Sequence, residues 1–270
     1  MTAPDARFLA TAIEVVTAAG AIQRARFGAA FTIEKKGVID LVTDVDLEIE
    51  RAARALIGGR FPEHDILAEE LGGGRSDASH RWVFDPLDGT TNFAHGIPIF
   101  CSSLALEIEG EAVVGAVFDP IRQELFTAER GVGAWLNGVP LKVSAADRLI
   151  DAVLVTGFPY DVHSTLDEVI GLFAAYVGEA RAIRRLGSAA VDLCWVAAGR
   201  MDGFWEQRLQ PWDTRAGALL VAEAGGTVTG LDGGHWDPAG GHLLASNGRL
   251  HDEMVAVAAR FKERRRNKTP

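Results

Sequence analysis

The chain has 270 residues, 48% of them hydrophobic, enough for one large core or two of ordinary size. Its formal net charge of −10 argues against a general nucleic-acid binder, whose affinity rests on Lys and Arg neutralising phosphates. No apolar run approaches a membrane span, Met1 to Ala10 lack the basic-then-apolar pattern of a secretory signal, and Cys101 and Cys194 stand singly among apolar residues. These features point to a cytoplasmic protein with two buried free thiols and argue against zinc ribbons and CxxC redox sites.

In chain order, Phe8, Leu9, Ala12, Ile13, Val16, Ala19 and Ile22 recur at helical spacing and predict a helix over residues 5–26. A second helix is expected from Thr43 to Leu56. A Thr43/Asp46 capping box opens it, Val45, Ile49, Ala52, Ala53 and Leu56 form its apolar face, and Gly58-Gly59 stop it. Short strands follow at 65–69 and 82–85. Segments 102–108 and 111–118 read as a hairpin turning at Glu109-Gly110, and 125–128 adds a strand. Asn137-Gly138 is a turn signal between Trp135-Leu136 and a strand at 141–143.

From about residue 150 the pattern alternates. Strands are expected at 152–156, 180–185 and 203–206, and helices at 165–177, 188–198 and 212–224. Short strands at Thr227-Val228 and Leu243-Leu244 precede a last helix from Leu250. This order predicts an α+β fold layered α-β-α-β-α in one body spanning 1–270. Residues 1–145 would supply a helix pair with a mostly antiparallel sheet, and 146–270 an α/β half. The seven His residues form no HExxH pair and read as surface or loop residues. The basic run from Lys262 to Lys268 reads as a solvated helix end favoured by the helix dipole.

The most informative segment is Asp85-Pro86-Leu87-Asp88-Gly89-Thr90-Thr91, which sets two carboxylates three residues apart on a bend after Trp82-Val83-Phe84. Asp-Pro and Asp-Gly are ordinary turn formers. Carboxylates and backbone carbonyls are also the ligands Mg²⁺ prefers, usually together with a substrate phosphate. Further acids stand where predicted elements end or begin: Glu69 and Glu70, Asp213, Asp44 and Asp46. Singly, each has a plain explanation as a helix-start acid, a capping partner or a solvated strand end. Two carboxylates ~4 Å apart repel by about 4 kcal/mol at an effective dielectric of 20, so a converging set demands cations or protons.

These residues resemble the inositol monophosphatase family of Mg²⁺-dependent, lithium-sensitive phosphatases, and its bacterial inositol-1-monophosphatase branch above all. Residues 85–93 fit one signature and residues 212–218, followed by Glu223-Ala224-Gly225-Gly226, fit a second. Asp40-Leu41-Val42-Thr43 with Asp46, and Gly187-Ser188-Ala189-Ala190, also fit. The resemblance implies two or three Mg²⁺ ions held by Glu69, Asp85, the carbonyl of Leu87, Asp88 and Asp213. It implies catalytic roles for Glu69, for Thr90 paired with Asp46, and for Lys35 as an electrostatic helper. Asp88, Gly89, Thr90, Gly187, Ser188, Ala189 and Glu206 would bind substrate, with Glu206 gripping hydroxyls of a small phosphorylated polyol.

The family usually has Gly before the Glu pair, where this chain has Ala68, which leaves Glu69 and Glu70 as alternatives with Glu69 preferred by analogy. Thr91 stands where the adenosine-bisphosphate branch carries Lys and disfavours a nucleotide. The expected activity is hydrolysis of inositol 1-phosphate by a homodimer acting without nucleic acid or membrane. Histidinol phosphate and fructose 1,6-bisphosphate are alternative substrates, and a non-catalytic partner of the transcription machinery is the alternative outside enzymes.

Overall fold

The computed structural model describes residues 5–37, 39–73 and 78–267. Met1 to Pro4 and Lys268, at the ends of the segments considered above, lie outside them. Helices α1 (Ala6–Arg26) and α2 (Asp44–Arg60) flank an antiparallel pair, β1 (Ile33–Lys35) and β2 (Leu41–Thr43). One sheet is built in chain order from β3 (Asp65–Ala68), β4 (His80–Asp88), β5 (Cys101–Ile108), β6 (Glu111–Asp119), β7 (Glu124–Glu129), β8 (Gly133–Leu136) and β9 (Val139–Pro140). Only β3 and β4 run parallel; the other neighbours are antiparallel, and α3 (Thr90–Ala94) interrupts the chain between β4 and β5.

The second sheet contains β10 (Val153–Thr156), β11 (Ala182–Arg184), β12 (Gly203–Glu206), β13 (Thr227–Thr229) and β14 (Leu243–Ser246) in the order β11-β10-β12-β14-β13. In it β10 is parallel to both of its neighbours. Helices α4 (Val162–Val177), α5 (Ala189–Ala197), α6 (Pro211–Glu223) and α7 (His251–Arg266) complete the fold.

Three apolar interfaces hold the layers together. Phe8, Ala12 and Val16 of α1 and Ile49 and Ile57 of α2 pack on Trp82, Phe84, Leu104 and Leu106. Between the sheets, α5 and α6 bring Leu193, Val196, Leu220 and Val221 against Ala105, Val117 and Phe126 on one side and Phe204 and Leu243 on the other. Outside the smaller sheet, Leu172 and Tyr176 of α4 and Met254 of α7 cover Leu154, Trp205 and Leu244. The result is the α-β-α-β-α stack that the element order predicts. Strand β5 shows why: Leu104 and Leu106 face one interface and Cys101 and Ala105 the other, so both faces of the strand are buried. Both cysteines are free and buried. Among the described residues no helix is long and apolar enough to cross a membrane.

Several local expectations are corrected. Helix α2 runs through Gly58-Gly59 to Arg60 because both glycines are exposed and meet nothing. The turn beyond them is anchored by Phe61, whose N–H donates to the Ile57 carbonyl and whose ring packs on Phe8. Its inward face carries Asp46 and Glu50 beside Val45, Ile49, Ala53 and Ile57, while Ala52 is exposed. The strand expected at 141–143 is replaced by β9. His251 is buried between Thr229 and Ser246 hydroxyls at 2.9 and 3.0 Å rather than exposed.

The bend at Asp85 is a bulge inside β4 rather than the end of a strand. Asp85 pairs with Ser103 and Asp88 with Cys101, so three steps on β4 match two on β5. Pro86 has no N–H to offer the ladder. Its carbonyl is taken instead by Gln23 Nε2 at 2.9 Å and Ser102 Oγ at 2.8 Å, and the fully buried Gln23 amide also donates to the Cys101 carbonyl. Gln23→Leu should therefore destabilise the fold by about 1 kcal/mol, because the Cys101 carbonyl loses this donor while the Pro86 carbonyl keeps Ser102 Oγ. Urea unfolding checks this, and a change below about 0.5 kcal/mol would mean that the bulge does not depend on Gln23.

Candidate active site

The bulge aims Asp85 and Asp88, both buried, toward the junction of the two sheets. Asp85 Oδ1 accepts from the Leu87 N–H at 2.9 Å. Asp88 Oδ2 accepts from Ser188 Oγ at 2.7 Å and the Ala190 N–H at 2.6 Å, which ties the large sheet to the start of α5. Gly89 follows at φ 97°, a left-handed conformation glycine adopts without steric cost, and turns the chain into α3. Asn92 on α3 donates to the Ile99 and Leu186 carbonyls, both at 2.8 Å, and so locks the turn before Gly187 against the bulge.

The other acids arrive from distant segments. Asp213 lies in the first turn of α6, and its Oδ2 accepts from the Gln210 N–H at 2.7 Å. Glu69 and Glu70 follow β3. The turn that carries them is held by Glu50 of α2, a fully buried carboxylate accepting from the Glu70 and Leu71 N–H groups at 2.9 and 3.1 Å. Asp46 serves two purposes: Oδ2 accepts from the Thr43 N–H at 2.9 Å, completing the capping box, while Oδ1 accepts from Thr90 Oγ1 at 3.3 Å. The Thr90 hydroxyl also lies 2.9 Å from the Leu87 carbonyl.

The electrostatics are those of crowded like charges. Burial, then the charges of Glu69, Asp88 and Asp213, push the Asp85 carboxyl well above the usual carboxylate range. Burial, then Asp88 and Glu69, do the same to Asp213. Glu69 is raised to about 7 by burial, partly offset by Lys36. The charge of Glu69 is among the largest of those that raise both Asp85 and Asp213. Burial also raises Asp46, and it lifts Glu206 at the end of β12 to about 8.

Among the described residues no three of these side chains are gathered in a ready-made metal cage. Glu69, Asp46, Asp85, Asp88 and Asp213 instead take the N–H, O–H or ammonium donors named above. The donor set nevertheless fits a hard divalent cation. It consists of carboxylate and carbonyl oxygens, its charges raise one another's proton affinity, and it already draws the Lys36 ammonium against Glu69 at 2.9 Å. Glu69, Asp85, Asp88, Asp213 and the Leu87 carbonyl could hold such ions.

Two expected members stand elsewhere. Lys35 is exposed on β1; its neighbour Lys36 reaches Glu69 and Glu70, where the attraction of both carboxylates outweighs burial and raises the ammonium pKa. Asp44 is exposed and paired with Arg26 at 2.6 Å, outside the cluster. Glu50 went unnoticed in sequence although it sits four residues after Asp46, on the same helical face.

A model of the inositol monophosphatase family matches residues 5–264. The inositol-1-monophosphatase of Synechocystis is 45% identical over 254 residues, 93% of this chain and 88% of that protein. The Nus factor SuhB of Escherichia coli is 45% identical over 223 residues, 82% of this chain and 84% of that protein. The solved inositol monophosphatase of Anabaena superposes with a TM-score of 0.87 at 40% identity, covering 94% of this chain and 96% of the other.

Folded-state pKa values of about 7 for Glu69 and about 8 for Glu206 exceed the ordinary 4.5. A carboxyl whose pKa rises on folding stabilises most below its unfolded pKa, and that contribution is lost as pH climbs through the folded value. In EDTA the protein should therefore melt at a lower temperature at about pH 8 than at about pH 5.5. Saturating Mg²⁺ should raise the melting temperature at the higher pH, and Asp85→Asn should abolish most of that rise. Scanning calorimetry reads both, and a melting curve indifferent to Mg²⁺ would count against a site poised for cations.

Proposed function

The chain belongs to the inositol monophosphatase family and is a phosphoric monoester hydrolase, and from that premise we propose that it hydrolyses myo-inositol 1-phosphate to inositol and phosphate with Mg²⁺. The observation that carries this reading is the carboxylate set Glu69, Asp85, Asp88 and Asp213, in which the charges of Glu69 and Asp88 raise Asp85 and Asp213, with a fifth acid, the buried Glu206, beside it. The first four suit cations and a phosphoryl group; Glu206 suits a polyol.

Mg²⁺ held by Glu69, Asp85, Leu87, Asp88 and Asp213 would supply Lewis acidity toward the attacking water, the phosphoryl oxygens and the leaving oxygen. The residues of the chain do the rest. Thr90, hydrogen-bonded to Asp46, orients the water and passes its proton to that buried carboxylate, whose raised pKa suits it to receive one. The amides after Gly89 face the phosphoryl oxygens as fixed donors. Lys36 balances negative charge beside Glu69. Glu206 accepts ring hydroxyls, and the Gly187-Ser188-Ala189 turn, joined to Asp88 through the Ser188 hydroxyl, lines the same side. Water attacks phosphorus in line with the departing inositol oxygen. A cytoplasmic location and a homodimer belong to the same reading.

The relatives named Nus factor support a second, non-catalytic reading, in which the chain also binds a component of the transcription machinery. Asp88→Asn separates the two, since it should remove phosphate release and leave a docking role intact.

Phosphate release should cease in EDTA, and Thr90→Ala should lower kcat by about a hundredfold or more with the melting curve preserved. At fixed Mg²⁺, inositol 1-phosphate should give a higher kcat/KM than histidinol phosphate, fructose 1,6-bisphosphate or adenosine 3′,5′-bisphosphate. Release in EDTA at the Mg²⁺ rate would falsify the proposal, and a preference for histidinol phosphate would reassign Glu206 to an ammonium group.

A further inference from the structure

Gly157 follows the last residue of β10, and Glu206 is the last residue of the parallel strand β12. Thr156 and Trp205 are register partners, and Thr156 Oγ1 donates to the Trp205 carbonyl at 2.5 Å, so Gly157 and Glu206 emerge side by side from a fixed ladder. The backbone does not require glycine here, because Gly157 is not among the glycines with positive φ. Space does. A Cβ at this position would overlap both carboxylate oxygens and the Cδ of Glu206. The carboxylate therefore fills the volume that a side chain at 157 would take.

It has few ways out. Glu206 is only 7% exposed. Near it lie the carboxyl of Asp192 on α5, whose two oxygens are buried with no hydrogen-bond partner, and the guanidinium of Arg185, whose charge favours the Glu206 carboxylate.

We propose that Gly157 is a specificity-determining residue, whose bare Cα seats the Glu206 carboxylate and so fixes how substrate hydroxyls are read, without touching the phosphate half of the site. This rests on the polyol-phosphatase reading. A side chain at 157 drives the carboxylate off its seat and into the space meant for a ring hydroxyl. Substrates with hydroxyls to place are penalised; a phosphomonoester lacking them is not.

The test compares wild type, Gly157→Ala, Glu206→Ala and the double variant on myo-inositol 1-phosphate and on phenyl phosphate. Gly157→Ala should raise KM for inositol phosphate by about tenfold or more, while kcat/KM for phenyl phosphate and half-saturation by Mg²⁺ stay within about twofold. In the Glu206→Ala background the same substitution should change nothing further, because its effect acts through that carboxylate. Equal losses on both substrates, no change on either, or a full effect persisting without Glu206 would overturn the proposal. Should Gly157→Ala melt far below wild type, recovery in the double variant supports the overlap and a melt equally low in both overturns it. Wild-type protein that hydrolyses neither substrate would overturn the functional reading and this inference with it, whereas an active wild type with unchanged discrimination overturns this inference alone.

Discussion

Drawing like charges together out of water costs free energy, and this fold sets the buried Asp85 and Asp88 and the half-buried Glu69 and Asp213 where the charges of Glu69 and Asp88 raise the pKa of both Asp85 and Asp213. Much of the architecture around the site works to hold them there. A bulge sustained by Gln23 and Ser102 turns Asp85 and Asp88 inward. The buried carboxylate of Glu50 clamps the turn bearing Glu69. The first turn of α6, pinned through Gln210, presents Asp213 from a helix lying between the sheets. Lys36 offsets part of the charge from outside.

The polyol side of the site is built differently. There the smaller sheet matters, because the carboxyl ends of its parallel strands β10 and β12 bring Gly157 and Glu206 together, the place where open α/β sheets favour ligands. The Ser188 hydroxyl joins this half to Asp88, and Asn92 joins it to the Gly187 turn. In the proposed reading, phosphate chemistry and hydroxyl reading would occupy opposite sides of one junction between two sheets, so that a change at 157 would alter one and spare the other.

The layered fold was legible in the sequence because helical and strand periodicities switch cleanly along the chain. The acid set was legible through its resemblance to known signatures. Features that depend on tertiary contact were not. The 85–91 segment reads locally as a turn, since nothing near it in sequence shows that Gln23, some sixty residues earlier, satisfies the Pro86 carbonyl and lets the strand continue. Lys35 and Lys36 are chemically alike, and only the path of the chain after β1 selects Lys36. Glu50 looks like an exposed helix acid until the backbone amides of a distant turn are seen to converge on it. The space kept by Gly157 is likewise visible only once Glu206 is in place.

Whether these carboxylates are arranged for cations is tested most directly by counting bound Mn²⁺, a paramagnetic substitute for Mg²⁺, by electron paramagnetic resonance on wild type and on Asp85→Asn at equal protein concentration. A site of this design binds more than one ion per chain in the wild type and loses most of that binding when the shared aspartate becomes neutral. Wild-type protein that leaves all Mn²⁺ free, or an Asp85→Asn variant that binds it as well as wild type, would contradict the cation-holding role at the centre of the site.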